Sequence, residues 1–124
     1  MLLAVALGGA IGSVSRYLVA ARVGHVLGTT FPWGTLAVNV AGGLIIGLLA
    51  GIMAFTWSAS HEMRGFLVTG LLGGFTTFSA FSLEVVNLIE RGAWGAAGAY
   101  IVLSVALSVG AVLAGLWFAR LATG

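Results

Sequence analysis

The chain has no cysteine and a single proline among its 124 residues. Lysine and aspartate are missing as well, so its fixed charge comes from five arginines and three glutamates. The first absence removes disulfides, thiolate metal sites and cysteine nucleophiles. The shortage of charge leaves 6% charged residues, against roughly 25% in ordinary soluble domains. With 60% hydrophobic residues and a mean hydropathy of +1.17, the chain lacks the polar groups to cover a water-facing surface. It reads as an integral membrane protein. A formal net charge of +2 is too small an excess to suggest nucleic-acid binding. No general acid/base pair, nucleophile–base constellation or phosphate-binding loop is visible, so enzymatic chemistry is not expected. The opening run MLLAVALGGA lacks the basic region of a cleaved signal peptide and reads as the start of a first span.

A bilayer core of about 30 Å needs roughly 20 predominantly apolar residues per helix. Stretches at approximately 2–21, 33–57, 65–89 and 93–119 qualify, joined by VGHVLGTTFP, SASHEMRG and an ERG turn. The expectation is an all-α fold, one four-helix transmembrane domain over residues 1–124, multi-pass in the cell (inner) membrane. Pro32 stands at the entrance of the second span, where a missing N–H does no harm. Glycine is spread through the spans. Gly8/Gly12, Gly43/Gly47/Gly51 and Gly70/Gly74 each follow the four-residue step that lets helix backbones approach closely. His25 and His61 fall in connectors, without ligand-like spacing, and read as solvated surface.

Arginine bias normally sets orientation. Here the side with both termini and the second connector carries Arg64 and Arg120, and the opposite side carries Arg22 and Arg91. Counting Arg16, inside the first span but nearer Arg22, gives three against two. Two readings follow: one orientation on a weak bias, or equal insertion both ways and an antiparallel homodimer. Four such helices leave little room for an aqueous path within one chain, which favours association.

Polar groups at membrane depth must be paired or face a cavity. Residues 73–81, GGFTTFSAF, place helix-weakening glycines beside hydroxyls that back-bond to the chain and release carbonyls. A helix broken near the middle of the third span is expected, and freed backbone groups of this kind often build ion sites. Phe78 and Phe81, three apart, would share a helix face; a ring has a positive edge, so the pair either holds an anion weakly or packs in the core. Asn39 lies roughly 9 Å along the second helix from Trp33 at about 1.5 Å per residue. It either makes an interhelical hydrogen bond or lines a path. Tyr100, Ser104 and Ser108, at steps of four, either form a donor track or bond back to their own helix. Arg16 either snorkels to the interface or sits at a vestibule and draws anions. Glu84 would pair with an arginine at a mouth.

In three blocks the chain resembles the Fluc (CrcB) fluoride channels: GGAIGSVSRY at 8–17, WGTLAVNVAGG at 33–43 and, most specifically, TGLLGGFTTFSAFSLE at 69–84. The resemblance covers nearly the whole chain. It implies an antiparallel, dual-topology homodimer with two pores, each built from both subunits, and passive export of fluoride driven by potential and gradient. By similarity, Asn39, Phe78 and Phe81 line the fluoride path, Thr77 and Ser79 donate to the ion, and Tyr100, Ser104 and Ser108 match the hydroxyl track of the last helix. Gly73 and Thr76 match positions whose backbone carbonyls hold a structural sodium ion at the dimer centre. Arg16 matches the first-span arginine. One departure is Ala80, where the family often has a threonine; any role for that hydroxyl is absent here. The choice of fluoride over chloride comes from the resemblance alone. The rival readings are a proton-coupled cation exporter of the small multidrug type, which needs a carboxylate at depth and finds only Glu84, and an assembly subunit of a larger membrane complex.

Overall fold

The computed structural model describes residues 1–123, and Gly124 lies outside the described residues. The described residues form helices and connecting turns, without strands. Four helical segments are long and apolar enough to cross a membrane: Leu2–Leu27, Trp33–Phe55, His61–Glu90 and Trp94–Thr123. The all-α, four-span expectation holds at that level, and the protein is a multi-pass membrane protein. Helices α1 (Leu2–Leu27), α2 (Trp33–Phe55) and α6 (Trp94–Thr123) are continuous. The third segment is composite, built from α3 (His61–Arg64), a π-helical stretch (Gly65–Leu72), α4 (Gly73–Phe75) and α5 (Ser79–Glu90).

Two of these boundaries lie outside or at the edge of the approximate spans read from sequence, each for a local reason. The first helix does not stop near residue 21 but runs to Leu27, ending at Gly28 with φ 86°. Arg22 and His25 sit in its last turns, where a cation complements the partial negative charge of the helix C-terminus. The third segment begins early because Ser60 caps it, its Oγ accepting from the Met63 N–H at 3.1 Å. His25 and His61 therefore belong to helix ends and not to connectors; both are exposed.

Two glycine seams hold the bundle. Gly8 and Gly12 of α1 are buried, and a Cβ on either would collide with the carbonyl oxygen of Phe66 or Leu71 in the π-helical stretch. From the other side, a Cβ at Gly70 would lie 2.7 Å from the Val5 carbonyl oxygen. Between α2 and α6, a Cβ at Gly43 would lie 2.7 Å from the Ser108 carbonyl oxygen, and one at Gly47 would strike that of Val112. Backbone thus meets backbone along both seams, and dispersion between close chains stands in for the hydrophobic drive that lipid does not supply. The four-residue glycine steps of the sequence are the seams themselves. The wide π turns opposite Gly8 were not expected; the Gly73 N–H reaches back five residues to the Val68 carbonyl.

A compact core of Leu36, Leu88, Ala97 and Tyr100 ties α2, α5 and α6 together at one end of the bundle, with Phe31, Phe81 and Val85 packed around it. The turn into α6 uses Gly92 at φ 76°, so that the Gly92 and Ala93 N–H groups return to Ile89 and Leu88 at 2.9 Å. At that end the Arg91 Nη2 donates to the Thr30 carbonyl at 2.8 Å. At the opposite end the Arg120 guanidinium lies 5.9 Å over the Phe55 ring. Leu2, Leu3, Val102, Val105 and Leu113 are exposed, as befits helices whose outer faces meet acyl chains or protein.

Candidate functional site

Regular helix in the third segment ends at Phe75 and resumes at Ser79. Thr76 is extended, with φ −85° and ψ 158°. Its N–H and Oγ1 both donate to the Leu72 carbonyl, at 2.9 Å and 3.0 Å. A continuing helix would send the Thr77 N–H to Gly73. Instead it donates to Asn39 Oδ1 at 2.8 Å, and Asn39 Nδ2 donates back to the Thr77 carbonyl at 2.9 Å. The carboxamide, carrying an acceptor and two donor hydrogens, imitates a missing peptide unit and keeps one N–H in reserve. Arg16 Nε donates to the Gly74 carbonyl at 3.2 Å, a partner that neither sequence reading of Arg16 named. The Thr77 hydroxyl accepts from the Ala80 N–H at 3.2 Å and so caps α5; it lies 3.4 Å from Ser79 Oγ. Among the described residues no hydrogen bond reaches the carbonyl oxygens of Gly73 or Thr76.

Asn39, Leu72, Gly73, Thr76 and Thr77 border an open cavity of about 420 Å³ between α2, the third segment and α6. Asn39, Gly42, Gly43 and Ile46 face it from α2, one helical face at the i, i+3, i+4, i+7 spacing. Gly73, Thr76, Thr77, Phe78 and Phe81 face it from the third segment, and Ser104 and Ser108 from α6. Gly42 has a steric reason to lack a side chain, since a Cβ there would collide with the Thr76 methyl group. The Phe78 and Phe81 rings are neighbours, with centroids 5.4 Å apart and planes tilted by 47°. Phe78 is the N-cap of α5, with right-handed helical dihedrals and its carbonyl accepting from the Ser82 N–H at 2.9 Å, so the two rings meet across the first turn of that helix. Phe78 is 76% exposed. Ser104 is buried, and its Oγ has no hydrogen-bond partner. Such an orphan is the strongest chemical signal in the site, because an unpaired buried hydroxyl normally costs about 1–3 kcal/mol.

The hydroxyl series expected on α6 is divided. Ser104 and Ser108 face the cavity, whereas Tyr100 packs its ring on Phe81 (centroids 5.0 Å apart) and donates its hydroxyl to Glu84 Oε1 at 3.3 Å. Glu84 thus meets a tyrosine and not the arginine expected at a mouth. It lines a second hollow of about 560 Å³, with Phe31, Trp33, Thr35, Asn87 and Arg91. Sequence reasoning missed that hollow and the Arg16–Gly74 bond. The only sequence trace of the hollow is the aromatic pair flanking Pro32.

Chemically, the first cavity offers a spare amide N–H, hydroxyls and ring edges, all uncharged, on apolar walls. That donor set suits a small anion which must be held loosely.

The sequence model described as CrcB-like protein, Camphor Resistance (CrcB), matches residues 3–116. A protein of Rhodospirillum centenum named Fluoride-specific ion channel FluC is 55% identical over 122 residues, covering 98% of this chain and 97% of that one. A Chelativorans protein of the same name is 57% identical over 96% of this chain and 95% of its own length. The Agrobacterium fabrum protein of that name is 58% identical, with 94% and 93% covered.

Replacing Asn39 by Ala strands the Thr77 N–H and carbonyl together. A stability loss of about 1–3 kcal/mol is expected, with faster amide exchange confined to the peptide spanning 73–81, followed by mass spectrometry in detergent. Exchange as slow as in the unaltered protein would show that Asn39 does not hold this segment.

Proposed function

The chain belongs to the CrcB-like family, and from that membership we propose that it is a fluoride-selective channel that lets fluoride leave the cytoplasm passively. The observation that carries the reading is the cavity in which the unpartnered Ser104 hydroxyl, the spare Asn39 N–H and the Phe78–Phe81 pair converge. Fluoride holds its water tightly, so a pore has to replace that shell with many donors and still release the ion. Neutral donors and ring edges meet both demands, whereas a lysine or a fully presented arginine would trap the anion. Hydrogen fluoride that enters from an acidic exterior dissociates inside, and the anion then leaves down its gradient and the membrane potential. Relatives named as fluoride channels over nearly their full length do not favour a proton-coupled exporter. Nor does the setting of Glu84, whose carboxylate is engaged by Tyr100.

In this reading Asn39, Thr77, Ser79, Phe78, Phe81, Ser104 and Ser108 line the path, with Tyr100 and Glu84 at its end and Arg16 beside the interruption. The lapse at 76–78 is a standing break of the third helix. Two copies, inserted antiparallel, bury their breaks against each other and complete two pores from both subunits. Gly73 and Thr76 carbonyl oxygens, without donors of their own, are hard neutral ligands that fit a sodium ion. When bound, that ion would neutralise the exposed carbonyls at the dimer centre.

Proteoliposomes loaded with fluoride or chloride and read with ion-selective electrodes test the function. Rapid fluoride efflux, negligible chloride efflux and no need for a proton gradient are expected. Phe78→Ile and Phe81→Ile should each slow fluoride while the dimer persists on a sizing column. Absence of fluoride efflux from the unaltered protein, with pH-driven cation uptake in its place, would transfer it to the exporters. The assembly is tested separately: reporters fused at the C-terminus should register on both sides of the membrane, and the dimer should melt lower in sodium-free buffer. Reporters on one side only would remove the antiparallel arrangement, and an unchanged melt would remove the ion.

A further inference from the structure

The aromatic contacts do not end at Phe81. Tyr100, fully buried, takes the Phe81 ring on one side at 5.0 Å and the Phe31 ring at 5.4 Å, the latter pair near-perpendicular at 79°. Phe31 in turn packs on Trp33 at 4.6 Å. Phe78, Phe81, Tyr100 and Phe31 therefore form one unbroken series of rings. It starts in the cavity that holds Ser104 and finishes in the second hollow, whose wall includes Phe31, Glu84 and Arg91.

The chemistry of that last stretch is awkward for an anion. Glu84 presents a carboxylate to the hydroxyl of Tyr100, the ring before Phe31 in the series, and Glu90 adds a second on the wall of the hollow. Arg91 is the cation there, and one of its nitrogens is committed to the Thr30 carbonyl. A partly dehydrated anion passing Tyr100 needs a further contact that attracts it without a full charge. A phenyl edge is such a contact, and the ring placed between buried Tyr100 and the hollow is Phe31. The half-buried state of Phe31 fits a side chain with one flank in the core and one on open space.

We propose that Phe31 is a third pore phenylalanine, lining the step between Tyr100 and the second hollow and setting how fast fluoride crosses it. The assignment rests on the channel reading above. Because Phe31 also packs beside Leu36 and Leu88, flux alone does not separate passage from folding, and ring-preserving and ring-removing variants are compared. Phe31→Leu is expected to slow fluoride efflux by roughly tenfold, the scale of one lost ring-edge contact. Phe31→Tyr, which keeps the ring, stays near the unaltered rate. Equal rates in Phe31→Leu and the unaltered protein, or equal losses in Phe31→Leu and Phe31→Tyr, overturn the assignment while the channel reading stands. An unaltered protein that passes no fluoride removes both.

A second measurement uses the lack of native cysteine. Phe31→Cys carries a single thiol, and a small anionic thiosulfonate reagent added to the water phase should label it and block efflux. Labelling should be slower in fluoride than in chloride of equal strength. A thiol that fails to react, or reacts equally fast in both salts, places position 31 in the packing alone.

Discussion

In hydrocarbon a peptide group that leaves its helix has no water to fall back on, and the third segment leaves its helix in the middle of the bundle. The Thr77 peptide is rescued on both of its faces by one carboxamide, that of Asn39. Arg16 takes the Gly74 carbonyl, and the Thr77 hydroxyl starts the next helix. Each of these replaces a bond that the regular helix would have made internally. The irregular stretch is thus a defined conformation and not a frayed region, with the Gly73 and Thr76 carbonyls left without a donor among the described residues.

Close packing makes this pairing reachable. The glycine seam between α2 and α6 draws the two backbones together, and the absence of a side chain at Gly42 admits Thr76 against the second helix. The same proximity brings Ser104 and Ser108 to the wall opposite Phe78 and Phe81. Asn39 holds the backbone with its oxygen and one hydrogen, and the residue borders the cavity beside residues 76–78. Among the described residues, no charged side chain borders that space.

Much of the fold was legible because composition and spacing state it directly. Long apolar runs mark the four spans, and glycine steps of four mark the seams along Gly8/Gly12 and Gly43/Gly47. Glycines and hydroxyls in GGFTTFSAF drew attention to residues 73–81, where regular helix is absent only at 76–78. What escaped depends on contacts between distant residues. Asn39 and Thr77 are 38 apart in the chain, and nothing local announces that the amide will face a peptide. The π-helical stretch reflects close approach to α1, and no periodicity in GFLVTGLL records it. Tyr100 shares its helical face with Ser104 and Ser108, yet the neighbouring carboxylate of Glu84 turns its hydroxyl elsewhere. The position of Phe31 depends on that same Tyr100 ring.

The proposed second role of Asn39, at the anion, is open to direct observation. Asn39 and Asn87 are the only side-chain amides in the chain, so nitrogen-15 spectra of the protein in bilayers contain two such signals, separable with one substitution. Titrating fluoride should move the Asn39 side-chain amide and the Thr77 backbone amide, while chloride at equal strength leaves both in place. An Asn39 signal that ignores fluoride, or follows chloride equally, would mean that the carboxamide only braces the interrupted helix and that the anion passes elsewhere.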